Sequence, residues 1–174
     1  MLARYIILSL LLIIAVATDI RTYHIYNLPM ALGLVAGLVL NFMIDGIEGL
    51  AWSLLAAIIP AVLLIVLFAL RMLGAGDIKL FCAIGAIMGV PFVLYTMAFS
   101  FLAGGVIALC IMFVRGNLKQ RLKHIAIYLK TCYLTHTFIP YTEFGDKSDG
   151  AKFHFSLAIA VGSTVQIILS VFSS

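Results

Sequence analysis

The sequence predicts an all-α, polytopic membrane protein of about six transmembrane helices with its N-terminus outside. Three observations carry that reading: an extreme apolar composition, apolar runs of membrane-crossing length, and a one-sided distribution of basic residues. Of 174 residues, 64% are hydrophobic and 10% charged, with a mean hydropathy of +1.21. Soluble domains are about half apolar and a quarter charged, so an ordinary soluble domain is excluded.

A crossing needs roughly 20 apolar residues to span a hydrocarbon core about 30 Å thick. The apolar segments are, in order, Leu2 to Thr18, Leu28 to Ile44, Leu50 to Leu70, Ile78 to Val90, Phe92 to Val114 and Phe155 to Phe172. The fourth and fifth run together, interrupted only by Gly89-Val90-Pro91. At 1.5 Å per residue their joint length is about 55 Å, too long for one crossing and short for two. A tight helical hairpin turning at Pro91 is expected. Its first arm is only about 20 Å long, which puts Asp77 below the membrane surface or in a local water-filled dip.

Orientation follows from the basic residues near span ends. With the first helix starting outside, Arg21, Arg71, Lys79 and all basic residues from Arg115 to Lys152 face the cytoplasm, ten of the eleven Lys and Arg. Only Arg4 is outside, together with the acidic turn of Asp45 and Glu48. A competing reading makes Arg4, the apolar run and Ala15-Val16-Ala17 a cleavable signal peptide. Cleavage there would put the basic loops on the wrong side, and the orientation rule argues against it. The same border clustering explains the pI near 9.1, so the bilayer, not nucleic acid, is the partner it implies. Cys82, Cys110 and Cys132 stand singly, with no zinc spacing or disulfide framework, and read as small packed hydrophobes. His24, His124, His136 and His154 have no mutual ligand spacing, so no metal site is expected.

The chain reads as one domain, 1–174, with one sizeable cytoplasmic loop at 115–154. In its first half Leu118, Leu122, Ile125, Leu129 and Cys132 or Tyr133 share a helical face, and Lys119, Arg121, Lys123, His124 and Lys130 occupy much of the rest. Such a helix is expected to lie in the headgroup plane, cations toward anionic lipid. The alternative, plain retention charge, explains the cations but not the periodicity. Tyr141 to Lys152 reads as a loop.

The candidate site rests on Asp19, which closes the first span, and Asp77, inside Gly74-Ala75-Gly76-Asp77-Ile78-Lys79. Taken singly, Asp19 reads as a solvated boundary residue paired with Arg21, because carboxylates near the border cost less than at a helix centre. The pairing changes the reading. Both aspartates fall on the cytoplasmic side, at the ends of spans whose order allows them to be neighbours. Gly74 and Gly76 let another backbone approach closely and tolerate an unwound corner. Two carboxylates a few ångströms apart share one proton. One then acts as general base on a water that attacks a peptide carbonyl, and the other as acid. Lys79 would lie at the rim, able to favour ionisation of Asp77 or to contact substrate; a lysine that only sets orientation is the plainer role.

At these residues the chain resembles the type IV prepilin peptidases, members of the Gly-x-Gly-Asp intramembrane aspartyl proteases that also include presenilin and signal peptide peptidase. Asp19-Ile20-Arg21-Thr22-Tyr23-His24-Ile25-Tyr26-Asn27 is similar to the family's aspartate, short basic loop and Ile-Pro-Asn, with Tyr26 in place of proline. Gly74 to Leu80 fits Gly-x-Gly-Asp-x-Lys without a gap. The resemblance spans most of Asp19 to Val114. It implies catalysis by Asp19 and Asp77 and substrate contacts at Gly74, Gly76, Lys79 and Asn27. It also implies a prepilin or pseudopilin substrate with a basic cytoplasmic leader, cut at the leader–helix junction, in a bacterial inner membrane. Larger relatives carry a paired Cys-x-x-Cys region associated with methylating the new N-terminus. Its absence here resembles the shorter peptidase-only form of Flp or Tad pilus systems, without methyltransferase activity, metal or organic cofactor.

Two other classes compete. An ion- or proton-coupled transporter predicts more polar residues deep in the spans than Thr96, Ser100, Ser163, Thr164 and Gln166. A non-catalytic pilus-assembly scaffold would not need an intact aspartate pair. Gly33-x-x-x-Gly37 and Gly85-x-x-x-Gly89 read as close packing within one chain, with dimerisation as the alternative.

Overall fold

The computed structural model describes residues 2–22, 26–70, 72–114 and 155–172. The interfacial helix and loop expected within 115–154, and all four histidines, lie outside the described residues. Five helices are described: α1 (Leu2–Thr22), α2 (Asn27–Ala69), α3 (Ala75–Met88), α4 (Val90–Val114) and α5 (Phe155–Phe172). All except α3 are long and apolar enough to cross a membrane. Large side chains such as Ile13, Leu32, Met43, Ile47, Val62 and Leu102 are more than half exposed. An apolar surface of that extent belongs against lipid, and the protein is a multi-pass membrane protein.

The 43 residues of α2 would measure about 65 Å if straight. They do not run straight, because Gly46 takes φ 62°, ψ −143°, a conformation that only glycine adopts readily. The two arms fold back on each other: Asn41 Nδ2 lies 3.4 Å from Ser53 Oγ across the bend. They correspond to the second and third apolar segments of the sequence.

The second reversal corrects an expectation. It falls at Gly89 (φ 93°), between α3 and α4, and not at Pro91. Pro91 is the second residue of α4, where its missing N–H lacks no partner because first-turn amides have none within the helix. The reversal itself is real: the Phe81 and Phe101 rings stack with centroids 6.5 Å apart, a separation that one continuous helix would stretch to about 30 Å.

Short α3 is the centre of the bundle, with Leu80, Phe81 and Ala83 to Ile87 buried. Both arms of α2 press onto it through glycine. A Cβ on Gly37 would stand 2.7 Å from the Ala86 carbonyl carbon, and one on Gly85 would overlap the Ala56 carbonyl oxygen. A Cβ on Gly33 would meet Leu11 of α1 at 2.8 Å. These glycines therefore pack helices within one chain, as small residues do in membranes generally. On the other side Gly162 of α5 abuts Ser100 of α4, and Gly104 of α4 faces Phe155 and Ala158 of α5. At one end of the bundle α5 is joined to α1 by Tyr5 Oη and Ser170 Oγ, 3.1 Å apart.

Where α3 ends, the Ala86 carbonyl takes its hydrogen bonds from side chains. Asn41 Nδ2 donates at 2.7 Å and Ser53 Oγ at 2.6 Å, so both arms of α2 satisfy a group that hydrocarbon could not. Interhelical bonds in membranes are worth about 1–2 kcal/mol at the upper end. Asn41→Leu is expected to destabilise the protein by about that amount, read as a lower unfolding midpoint in detergent. An unchanged midpoint would show that Ser53 alone suffices.

Tyr26, which stands in place of the family's proline, precedes α2 with φ −66° and ψ 139°. Proline is locked near φ −65°, so the tyrosine holds the backbone that proline would impose. Tyr26→Pro is expected to fold and to raise stability by about 0.4–1 kcal/mol through a less free unfolded chain. A loss of folded protein in a thermal scan would contradict the geometry.

Candidate active site

The polar residues singled out in the sequence gather at one end of the bundle. Asp19 is in the last turn of α1, Asn27 begins α2, and Asp77 and Lys79 lie in the first turns of α3. Asp19 continues the buried stripe Leu8, Leu11, Leu12 and Ala15, so its side chain points into the bundle. At 9% exposure it is not the solvated boundary residue that its position alone suggests. Its Oδ2 accepts a hydrogen bond of 2.5 Å from Ser156 Oγ, at the start of α5.

Asp77 is half-buried and sits at the third helical position, its Oδ2 accepting from the Gly74 amide at 3.2 Å. This is the half of a capping box that a glycine N-cap allows. The Gly-x-Gly-Asp segment is therefore not an unwound corner. Gly74 is extended (φ −76°, ψ 147°), a backbone open to any residue, and Ala75 and Gly76 are already helical. Glycine at 74 acts through space: a Cβ there would stand 3.0 Å from Asp77 Oδ2.

The structure places Asp19 and Asp77 at the same end of the bundle, on α1 and α3, which are in contact. It also joins the two motifs directly, because Lys79 Nζ donates to Asn27 Oδ1 at 2.7 Å. Both residues are exposed, so the bond adds little stability, but it ties the start of α2 to α3 beside the carboxylates. Among the described residues no three His, Cys, Asp or Glu cluster as metal ligands. A pocket of about 780 Å³, lined among others by Arg4, Asp45, Glu48, Trp52 and Pro91, lies at the opposite end, where Arg4 pairs with Asp45 at 3.5 Å. It holds neither Asp19 nor Asp77, so the site is defined by its carboxylates and not by cavity size.

Ser156 was not among the residues the sequence singled out. Its only signal is a hydroxyl at the second position of the last apolar segment, which nothing local distinguishes from Ser163 or Thr164.

Fold and site together define a multi-pass helical membrane protein with two carboxylates from different helices at one end of the bundle. The family model of the type IV leader peptidases matches residues 6–109, more than half the chain, and this protein belongs to that family. It is a type IV leader peptidase-like protease. The matched stretch contains Asp19, Asn27, Gly74, Gly76, Asp77 and Lys79, and stops before α5. Comparison with curated proteins and with solved structures gave no match.

Proposed function

We propose that the protein is an intramembrane aspartyl endopeptidase in which Asp19 and Asp77 cut the leader from prepilins or pseudopilins at the cytoplasmic face. The observation that carries this is the placement of two carboxylates, one buried and one half-buried, at one end of the bundle on the ends of the packed helices α1 and α3. Like charges so placed hold one proton between them. The ionised carboxylate takes a proton from water as the water oxygen bonds to the scissile carbonyl carbon, and the protonated one gives its proton to the carbonyl oxygen. Collapse of the resulting diol breaks the C–N bond, with a proton passed to the leaving amine. No step calls for a metal or organic cofactor, and methylation of the new N-terminus is not part of this reading.

The whole chain, 1–174, acts as one peptidase domain with six crossings and its N-terminus outside. Support comes from the two ends of the bundle: the aspartates, Lys79 and Asn27 share one end, while Arg4, Asp45 and Glu48 share the other. At 14 residues, α3 is about 21 Å long, shorter than a hydrocarbon core of about 30 Å. Asp77 thus lies at a depth where a substrate's leader meets its apolar helix. Gly74, Gly76, Lys79 and Asn27 line the approach of that substrate in a bacterial inner membrane, in an Flp or Tad pilus system. The test is processing of a co-expressed prepilin from the same genome by wild type, Asp19→Asn and Asp77→Asn. Retained processing in either variant overturns the proposal.

A further inference from the structure

The two carboxylates are not equivalent. Ser156 is wholly buried and Asp19 nearly so, and the hydroxyl stands 2.5 Å from Asp19 Oδ2. That is the short end of the ordinary range for an O–H donor to an oxygen acceptor, about 2.5–3.0 Å. At Asp77 the donor is the exposed Gly74 amide at 3.2 Å, at the long end of ordinary bonds. The serine is also held in place. Its neighbour Phe155 packs against Phe81 at 6.4 Å and Phe101 at 5.7 Å between ring centroids, and α5 is tied to α1 again at Tyr5 and Ser170.

The hydroxyl thus ties the start of α5 to the carboxylate at the end of α1 and limits its rotation. We infer that Ser156, which lies beyond the family-matched residues, is a positioning residue that holds the Asp19 carboxyl in the orientation the reaction needs. Without it a buried carboxyl loses that donor, and the loss falls on turnover and not on substrate binding.

This inference rests on the aspartyl dyad proposed above, and the experiment separates the two. The full-length protein, reconstituted in proteoliposomes, is given a peptide of lysine-rich leader, glycine and apolar helix, and kcat and KM are measured across pH. Ser156→Ala is expected to lower kcat about tenfold or more with KM unchanged, and to change the shape of the kcat profile against pH. Ser156→Thr, which keeps the hydroxyl, is expected to recover the wild-type profile. A pH profile of unchanged shape in Ser156→Ala overturns the inference even if kcat falls, since a structural role changes the amount of active enzyme but not the shape of its pH profile. If Ser156→Ala does not accumulate, Ser156→Cys, similar in volume and a weak donor, is read by the same profile. Asp19→Asn is assayed alongside. If it is active, the dyad and this inference fall together; if it is inactive while Ser156→Ala keeps the wild-type profile, only the role of Ser156 falls.

Discussion

Asp19→Asn and Asp77→Asn are each expected to reduce prepilin processing by at least about a hundredfold, the lower bound for losing a general acid or base, while both variants accumulate in the membrane. Asparagine is nearly isosteric with aspartate, and its Oδ1 still accepts from Ser156 at position 19. Neither change creates a cavity, and neither adds charge to this end of the bundle. Folding should therefore be preserved as turnover is lost. The double variant should lose about as much as either single one, because groups acting as a unit are not additive. The comparison needs processed and unprocessed prepilin resolved by mass, with the membrane level of each variant measured beside it. Wild-type folding with lost cleavage separates chemistry from structure; cleavage surviving in either variant returns the transporter and scaffold readings.

The largest structural effect is expected at Gly85. A single methyl there runs into the backbone of Ala56, overlapping its carbonyl oxygen and standing 2.8 Å from its carbonyl carbon. A flexible side chain could move aside, but a helix backbone in a packed bundle cannot. Overpacking typically costs 1–3 kcal/mol, and Gly85→Ala should reach about 3 kcal/mol or more, because backbone takes the clash. The consequence is also functional: α3 carries Asp77 and Lys79, so a shift of α3 away from α2 separates Lys79 from Asn27 and alters the approach of Asp77 to Asp19. Gly105→Ala is the control. A Cβ at that exposed position in α4 meets nothing within 4 Å, and replacing glycine inside a helix should gain about 0.5–1 kcal/mol. Thermal unfolding of both variants in detergent, with processing assayed in parallel, tests the pair. Equal midpoints would mean that α2 and α3 are not in backbone contact at Gly85.

The helices themselves were legible because hydrocarbon imposes a length. A run of apolar residues long enough to cross must close its own backbone hydrogen bonds, so the six apolar segments reappear as α1, the two arms of α2, α3, α4 and α5. The reversals were less legible. Pro91 drew attention as a helix breaker, yet the break is made two residues earlier by a left-handed Gly89, and proline is well placed just inside a helix start. Gly46 was unremarkable between two acidic residues, although it makes the bend that folds α2.

What the sequence by itself determined is the membrane class, the approximate spans and the two aspartate motifs, because length, polarity and local spacing are properties of contiguous residues. Which face of each helix points inward was decided only by the tertiary structure. In lipid the outer face is as apolar as the core, so α1 shows no polar side to mark Leu8, Leu11, Ala15 and Asp19 as its buried stripe. For the same reason Ser156 gained meaning only when α5 packed against α1, 137 positions away from Asp19. A hydrogen bond between distant helices leaves no local pattern, and packing alone singles out that hydroxyl.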